Sequence, residues 1–330
     1  MAITLAQAKV GMADKVDQMV IDEFRRSSLL LDSLIFDDAV SPGTGGSTLT
    51  YGYTRLLTPA TAGFRAINSE YAPQEAKRQK KSVDLKIFGG SFQLDRVIAN
   101  TSGAIDELDF QLKEKIKAAS NLFHYTVING DTAIDSKAFD GLDKALVGTD
   151  TEINTDSFID LSNSAALDAN YKEFLDLLDS FLSELSGKPS MLMGNSKLMT
   201  KIRSVARRAG YLTQTEDAFG RKVSAYDGIP LMDLEYYSNG ISTIPTVKIV
   251  DTRQPGSASS PIKGLTDLFA ASIDIGGFHG VTVKGDKMIN TYLPDLKAPG
   301  AVKTGEVEMV AAVALKNSRK AGVLRNIKVK

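Results

Sequence analysis

One uninterrupted amphipathic run constrains this chain more than any other stretch. Between Ala104 and Asn129 the apolar residues fall at Ile105, Leu108, Leu112, Ile116, Ala119, Phe123 and Val127. The mean step is about 3.7 residues, close to the helical period and far from the strand period of 2. Asp106, Glu107 and Asp109 occupy the first turns, and Lys113, Lys115 and Lys117 come later, as the helix dipole favours. Asn129-Gly130 predicts a left-handed stop. Such a helix spans on the order of 37 Å, enough to cross a domain. Ahead of it, Ser82–Phe88 reads as a strand, Gly89-Gly90 as a bend, and Ser91–Ile98 as its continuation, before the polar break Asn100–Gly103. Val83, Leu85 and Ile87 share one parity while Phe92 and Leu94 share the other, so a bulge is expected at Gly89-Gly90.

The totals narrow the function classes. Lysine plus arginine (39) nearly cancels aspartate plus glutamate (40), which argues against dedicated nucleic-acid binding through bulk charge. The absence of cysteine excludes disulfides, thiolate metal sites and a cysteine nucleophile. No apolar run approaches the ~20 residues of a membrane helix. The N-terminus lacks a basic start followed by an apolar core, so no signal peptide is expected.

Residues 3–36 read as helical, with Val16, Met19, Val20, Phe24, Leu29, Leu30 and Leu34 as the apolar stripe. The helix either packs on its own domain or forms an arm on a neighbouring subunit. After the breaker Ser41–Gly46, the alternation Leu49, Tyr51, Tyr53 against Thr48, Thr50, Thr54 predicts a strand. Residues 56–81 hold Pro59, Gly63 and Pro73, few apolar side chains, and the cations Lys77, Arg78, Lys80 and Lys81. Flanked by strands, they read as a long hairpin with a basic tip reaching away from the core, its four charges either solvated, paired with an acidic neighbour, or paired with phosphates. Residues 131–168 are acidic and loop-rich, with Asp131, Asp135 and Asp140 at their start. Those three do not match calcium-loop spacing, which leaves a solvated acidic face.

A second, mixed α/β unit is expected from Asn170. There Asn170–Glu173 reads as a capping box, and Tyr171, Phe174, Leu175, Leu178, Leu182 and Leu185 form one stripe. Met191–Met193 is a short buried strand. Asn195-Ser196 caps a basic helix with Lys197, Lys201, Arg203, Arg207 and Arg208, closed by Gly210. Strands are expected at Tyr226–Glu235, Pro245–Val250 and Ile273–Val283, the last pivoting at Gly276-Gly277. Two final strands, including Val307–Leu315 and Val323–Val329, are expected to return to the long helix.

No catalytic constellation emerges. His124 and His279 are the only histidines, too few for a zinc site or triad unless they converge. There is no phosphate-cradling Gly-x-x-x-x-Gly-Lys-Ser/Thr, no dinucleotide Gly-x-Gly-x-x-Gly and no Gly-x-Ser-x-Gly elbow. Ser260-Pro-Ile-Lys263 and Lys303-Thr-Gly305 mimic two penicillin-binding-protein motifs, but the serine sits in a Ser/Pro loop and no Ser-Asp-Asn intervenes. No catalytic, cofactor or metal residue is assigned.

The order of these pieces resembles the major capsid proteins of tailed bacteriophages, with the Hong Kong 97 type coat fold. Val83–Arg96 looks like that family's strand into its long "spine" helix, and Ile128–Asp131 like the helix end. Phe139-Asp-Gly-Leu142 follows as it does there. Gly228-Ile-Pro-Leu231 resembles a strand of the axial domain, and Phe278-His-Gly-Val281 the return path.

The resemblance implies an α+β subunit with an N-terminal helical arm (1–46), an extended β-hairpin loop (47–95) and a peripheral domain (96–169) with spine helix 104–129. An axial domain (170–275) and return strands (276–330) complete it. It implies a non-enzymatic shell subunit that assembles with itself into hexamers and pentamers of an icosahedral head, in the host cytoplasm. Further implied partners are scaffold, portal and head-completion or decoration proteins, and packaged double-stranded DNA held non-specifically; no membrane is implied. About 46 residues precede the hairpin, so a separate scaffold is expected, and no covalent cross-link is predicted. The expected inter-subunit contact joins Lys77, Arg78, Lys80 and Lys81 to Asp131, Asp135 and Asp140 of a neighbour. Two other readings are an encapsulin-like nanocompartment shell, separated by a neighbouring cargo gene, and a soluble α+β enzyme with convergent carboxylates.

Overall fold

The computed structural model describes residues 30, 33–40, 49–97, 107–154, 157–210, 213–216, 222–238, 242–256, 258–283, 289–295 and 297–330. Most of the expected N-terminal helix, the breaker at 41–46 and the first turn of the long helix lie outside them. Where that N-terminal helix was expected to reach Phe36, a strand begins instead: β1 (Phe36–Val40).

The chain continues through β2 (Thr50–Thr58), β3 (Lys77–Asp84) and β4 (Lys86–Asp95) into α1 (Glu107–Asn129). A short α2 (Leu142–Leu146) and the two-residue strands β5 (Glu152–Ile153) and β6 (Ile159–Asp160) lead to α3 (Ser164–Ser183). Next come β7 (Met191–Gly194), α4 (Ser196–Ala209), β8 (Thr213–Glu216), β9 (Lys222–Tyr226), β10 (Ile229–Asp233), β11 (Tyr236–Ser238) and β12 (Thr243–Pro245). The chain closes with β13 (Leu265–Ala271), β14 (Phe278–Val283), β15 (Ile289–Tyr292), β16 (Val302–Leu315) and β17 (Ala321–Lys328).

Two sheets organise these elements. In the five-stranded sheet, β16 pairs with β4 over ten residues, and with β15 and β14 in turn; β1 completes it beside β14. Phe88 and Phe92 of β4 and Val307 and Met309 of β16 join Leu112, Ile116, Phe123 and Val127 of α1 in one core. Phe123 is its hub, with ring centroids 6.2 Å from Phe36, 5.5 Å from Phe88 and 5.8 Å from Phe139.

The eight-stranded sheet runs β5-β17-β13-β7-β10-β9-β8, with β6 also on β17. Alternation along its strands divides two cores. Leu192, Leu268 and Leu324 pack with Phe174, Phe181, Leu198 and Ile202 of α3 and α4, whereas Met191, Met193, Phe269 and Val323 face the α1 core. β13 is buried at every position, a continuous run in which sequence alternation carries no signal.

Several local expectations are corrected. The β4–β16 ladder passes Gly89 and Gly90 without a bulge. The parity switch falls at Leu85 instead, the buried residue between β3 and β4. Gly89 is needed for closeness, because a Cβ there would sit 1.9 Å from the Val307 carbonyl oxygen. The α3 cap is Asn163, whose side chain accepts from the Ala166 N–H at 2.9 Å. Asn170 lies inside the helix and donates to the Asp160 carbonyl. The stretch 226–235 is two strands joined by a tight turn, with Asp227 at φ 47° and Gly228 at φ 70°, the signature of a type I′ hairpin. Thr246–Ile249 is not a strand, and the segment around Gly276-Gly277 is a turn leading into β14. β16 does lie against α1, but β17 joins the other sheet, beside β13. The cap Asn195 and left-handed Gly210 (φ 76°) bound α4 as expected.

Candidate interaction surfaces

Among the described residues, β2 and β3 pair only with each other. Beyond them, residues 59–76 are all exposed. This tip is knitted internally, with Arg65 donating to the Ser69 carbonyl at 3.0 Å and its guanidinium 5.5 Å from the Tyr71 ring centre. It carries Phe64 and Ile67 at 109% and 92% exposure and Tyr71 at 63%. Isolated exposed apolar residues are ordinary, but three on one projecting loop, with no core beneath them among the described residues, mark a surface that gains by being covered. The composition of 56–81 had signalled a sparse, solvated loop and hid this.

The four cations are not at the tip. Lys77, Arg78, Lys80 and Lys81 line β3, the returning limb, all exposed and none in an ion pair among the described residues.

At its root the hairpin is clamped. The Tyr51 hydroxyl donates to Asp37 at 2.7 Å and Tyr53 to the Leu315 carbonyl at 3.0 Å. Arg55 reaches the carbonyls of Leu315 and Lys316. Burial first, then the hydrogen bond to Asp37, raises the Tyr51 phenol well above its ordinary value. His279 packs edge-on to Tyr51, with ring centroids 5.8 Å apart. Burial, then the nearby Lys316 ammonium, lowers its pKa. Its imidazole is thus held neutral, packed against Tyr51 at the root of the hairpin.

The acidic segment is largely neutralised within the chain. Lys144 lies 2.6 Å from Asp131 and 2.9 Å from Asp140, and its hydrogen bond is the main reason the Asp131 carboxyl sits below its usual range. For Asp140, burial pulls upward but hydrogen bonds from Thr132 and Lys144 outweigh it. Asp135 accepts from the Lys137 N–H at 2.9 Å and makes no ion pair among the described residues. Further along, Asp150 pairs with Arg319 and Asp160 with Lys328.

A polar cleft of about 530 Å³ opens beside α2, lined by Asp143, Glu152, Arg253 and Arg325 among others. The sequence reading missed this cluster because its members come from four separate segments. Its arginines and carboxylates are spent on each other: Arg253 grips Asp267 with both terminal nitrogens, and Arg325 contacts Asp143, Glu152 and Asp267. No group of three or more metal-ligating side chains occurs among the described residues. No described helix is long and apolar enough to cross a membrane.

No protein-family model matches the chain, and no curated protein matches it. Solved structures do. The holo-SrpI encapsulin complex from Synechococcus elongatus PCC 7942 aligns with a TM-score of 0.59 at 14% identity, covering 91% of this chain and 88% of that one. The capsid of the empty GTA particle aligns at 0.57 and 11% identity, over 92% and 90%. A chain of Mycobacterium phage Bobi aligns at 0.56 and 12% identity, over 92% and 90%. The chain has the capsid-protein fold. The likeness is to an α+β architecture and runs along nearly the whole chain; two of these neighbours come from an encapsulin complex and a particle capsid. At such identity the fold persists while individual surface residues do not, so the contacts this chain can make follow from its own side chains.

Proposed function

We propose that this chain is a major capsid protein, assembling with itself into the icosahedral head of a tailed phage around double-stranded DNA. The observation that carries the proposal is the hairpin: on a fold shared with shell proteins, it projects three apolar side chains, Phe64, Ile67 and Tyr71, left bare by the described residues of its own chain. In the Hong Kong 97 type layout, residues 47–95 are the loop lying over an adjacent subunit. Residues 96–169, with α1, are the peripheral domain, 170–275 the axial domain, and 1–46 the arm. β17 would then belong with the axial sheet, while β16 returns to the periphery. Hexamers and pentamers are the expected oligomers. Scaffold, portal and head-completion proteins are the expected partners, the virion capsid its place, and the host cytoplasm its site of assembly.

The contact of Lys77, Arg78, Lys80 and Lys81 with Asp131, Asp135 and Asp140 of a neighbour remains part of this proposal. Asp135 is its centre, since Lys144 already engages the other two carboxylates. Such pairs set orientation more than affinity.

The encapsulin-like alternative draws on the alignment to the SrpI encapsulin shell. The contents decide between them: packaged DNA against enclosed protein cargo.

Negative-stain microscopy and sedimentation of the purified protein test the reading. Closed shells, rings or curved sheets support it. A protein that stays monomeric alone and beside the proteins encoded next to it overturns it. Phe64→Asp with Ile67→Asp separates surface from fold: thermal melting stays unchanged while assembly is lost.

A further inference from the structure

The two helices covering the outer face of the eight-stranded sheet carry opposite charge. α4 holds Lys197, Lys201, Arg203, Arg207 and Arg208 and no acid. α3 holds Asp168, Glu173, Asp176 and Asp179 against one lysine, and Glu184 caps its end.

Part of this charge is used where the helices face each other. Arg208 lies 2.6 Å from Asp168 and donates to the Ser164 hydroxyl at 3.0 Å, and Lys201 donates to the Ser162 carbonyl at 2.6 Å. These contacts fix which flank of each helix points at the other. At roughly 100° per residue, Arg203 and Arg207 stand about 100–160° around α4 from Lys201 and Arg208. Glu173 and Glu184 stand about 140–160° around α3 from Asp168. The leftover cations therefore line the free edge of α4, and the leftover carboxylates the free edge of α3. All four are exposed, and none makes an ion pair among the described residues. Lys197 and Asp176 add one charge of the same sign on each crown.

We propose that the Arg203–Arg207 edge of α4 docks against the Glu173–Glu184 edge of α3 on a second copy, a head-to-tail contact that repeats around a ring. The inference rests on the shell reading and assigns it a specific surface. A two-fold arrangement of either edge sets like charge against like, which complementary interfaces avoid. Placing unlike edges on opposite flanks of one helix pair instead makes each copy both donor and acceptor. That is the heterologous geometry that closes into rings.

The chain has no cysteine, so cross-linking starts from no background. Arg207→Cys and Glu173→Cys are made singly and together, assembled, oxidised and run on non-reducing gels. The expected result is a ladder of covalent oligomers for the double variant and none for either single one. In parallel, Arg203→Glu with Arg207→Glu loses assembly while melting as wild type, and adding Glu173→Arg with Glu184→Arg restores it. A double-cysteine protein that assembles without a ladder overturns the inference and leaves the shell reading standing. So does an Arg203→Glu, Arg207→Glu protein that assembles normally but retains less DNA, which assigns the basic edge to nucleic acid. A wild-type chain that never assembles, with or without the proteins encoded beside it, removes both.

Discussion

Arg55, on the first strand of the hairpin, donates from Nη2 to the carbonyl oxygen of Leu315 at 2.7 Å. Its Nε reaches the next carbonyl, Lys316, at 3.0 Å. The hairpin is thus fastened to the end of β16 by side chains gripping two carbonyls rather than by a strand ladder. Such a root can hold the projecting arm in one direction and still let it swing when the grip is lost.

Arg55→Ala should free the arm without unfolding the body. Two charge-assisted bonds, worth about 1.5–3 kcal/mol each at most, are lost at a partly hydrated site. Hydrogen exchange should quicken across 50–58 and 77–84 and stay unchanged in β14 and β16. Unchanged protection in the hairpin would show that Tyr51 and Tyr53 suffice.

Gly130 and Gly141 make a second test, because both exist for closeness. Gly130 does not take the left-handed conformation expected of it. Instead the Gly141 N–H donates to the Gly130 carbonyl at 2.8 Å. A Cβ on Gly130 would meet the Phe139 carbonyl oxygen at 2.1 Å, and one on Gly141 the Ile128 carbonyl oxygen at 2.6 Å. Gly130→Ala should cost about 3 kcal/mol, the upper end of overpacking, because the Cβ meets backbone rather than a flexible side chain. Gly148→Ala, at φ 73° with nothing within 4 Å, should cost only the left-handed penalty of about 1–2 kcal/mol. Chemical denaturation distinguishes the two; a Gly130→Ala protein more stable than Gly148→Ala would contradict the packing account.

What was legible in the sequence follows from period and burial. The α1 stripe was readable because one face is wet, and Leu112, Ile116, Phe123 and Val127 are buried as the spacing required. β16 was readable for the same reason over Glu306–Met309, where Glu306 and Glu308 mark the other face. β13 was not, since both faces of Leu265–Ala271 are covered and the buried Asp267 interrupts the apolar text. The hairpin was visible as a loop, whereas its exposed apolar trio was not: Phe64, Ile67 and Tyr71 fall at steps of three and four, a helical spacing, in a stretch that forms no helix. The acidic segment misled because Lys144, Arg319, Arg325 and Lys328, its neutralising partners, mostly come from the far end of the chain.

The two histidines predict a stability slope. Burial lowers His124 to about 4 and, with Lys316, lowers His279. A base whose folded pKa lies below its unfolded value binds its proton more readily when unfolded. Stability is therefore full above the unfolded value, roughly 6.5, and falls as pH drops toward the folded values. The slope is at most about 1.4 kcal/mol per pH unit for each histidine. Carboxylates held low, such as Asp160 and Asp274, act in a separate window below roughly pH 4, where their contribution is lost as they protonate. Denaturant unfolding of the unassembled chain at several pH values checks this, and His279→Gln should remove its share of the slope. A flat profile through the histidine window would refute it.

Arg325 supplies the last prediction. Its guanidinium lies 2.8 Å from Asp143 and 3.2 Å from Asp267, with Nε on Glu152, so β17 is tied to α2, β13 and β5 at one point. Burial alone would lower its pKa, yet Asp143 and Asp267 outweigh that and raise it. Among the described residues Arg253 pairs only with Asp267, so two guanidinium groups face the three carboxylates Asp143, Glu152 and Asp267. Arg325→Ala removes one of the two and strands Glu152 beside the buried Asp267. Breaking a buried pair from one side costs about 3–5 kcal/mol, far more than the intact pair contributes. Arg325→Lys keeps the charge but not the fork, so it should fall between. The exposed Lys113–Asp109 pair on α1, 3.0 Å apart, is the control: Lys113→Ala should cost no more than about 0.5 kcal/mol. Denaturation midpoints rank the three variants, and an Arg325→Ala protein as stable as Lys113→Ala would mean that water in the adjoining cleft already screens the cluster.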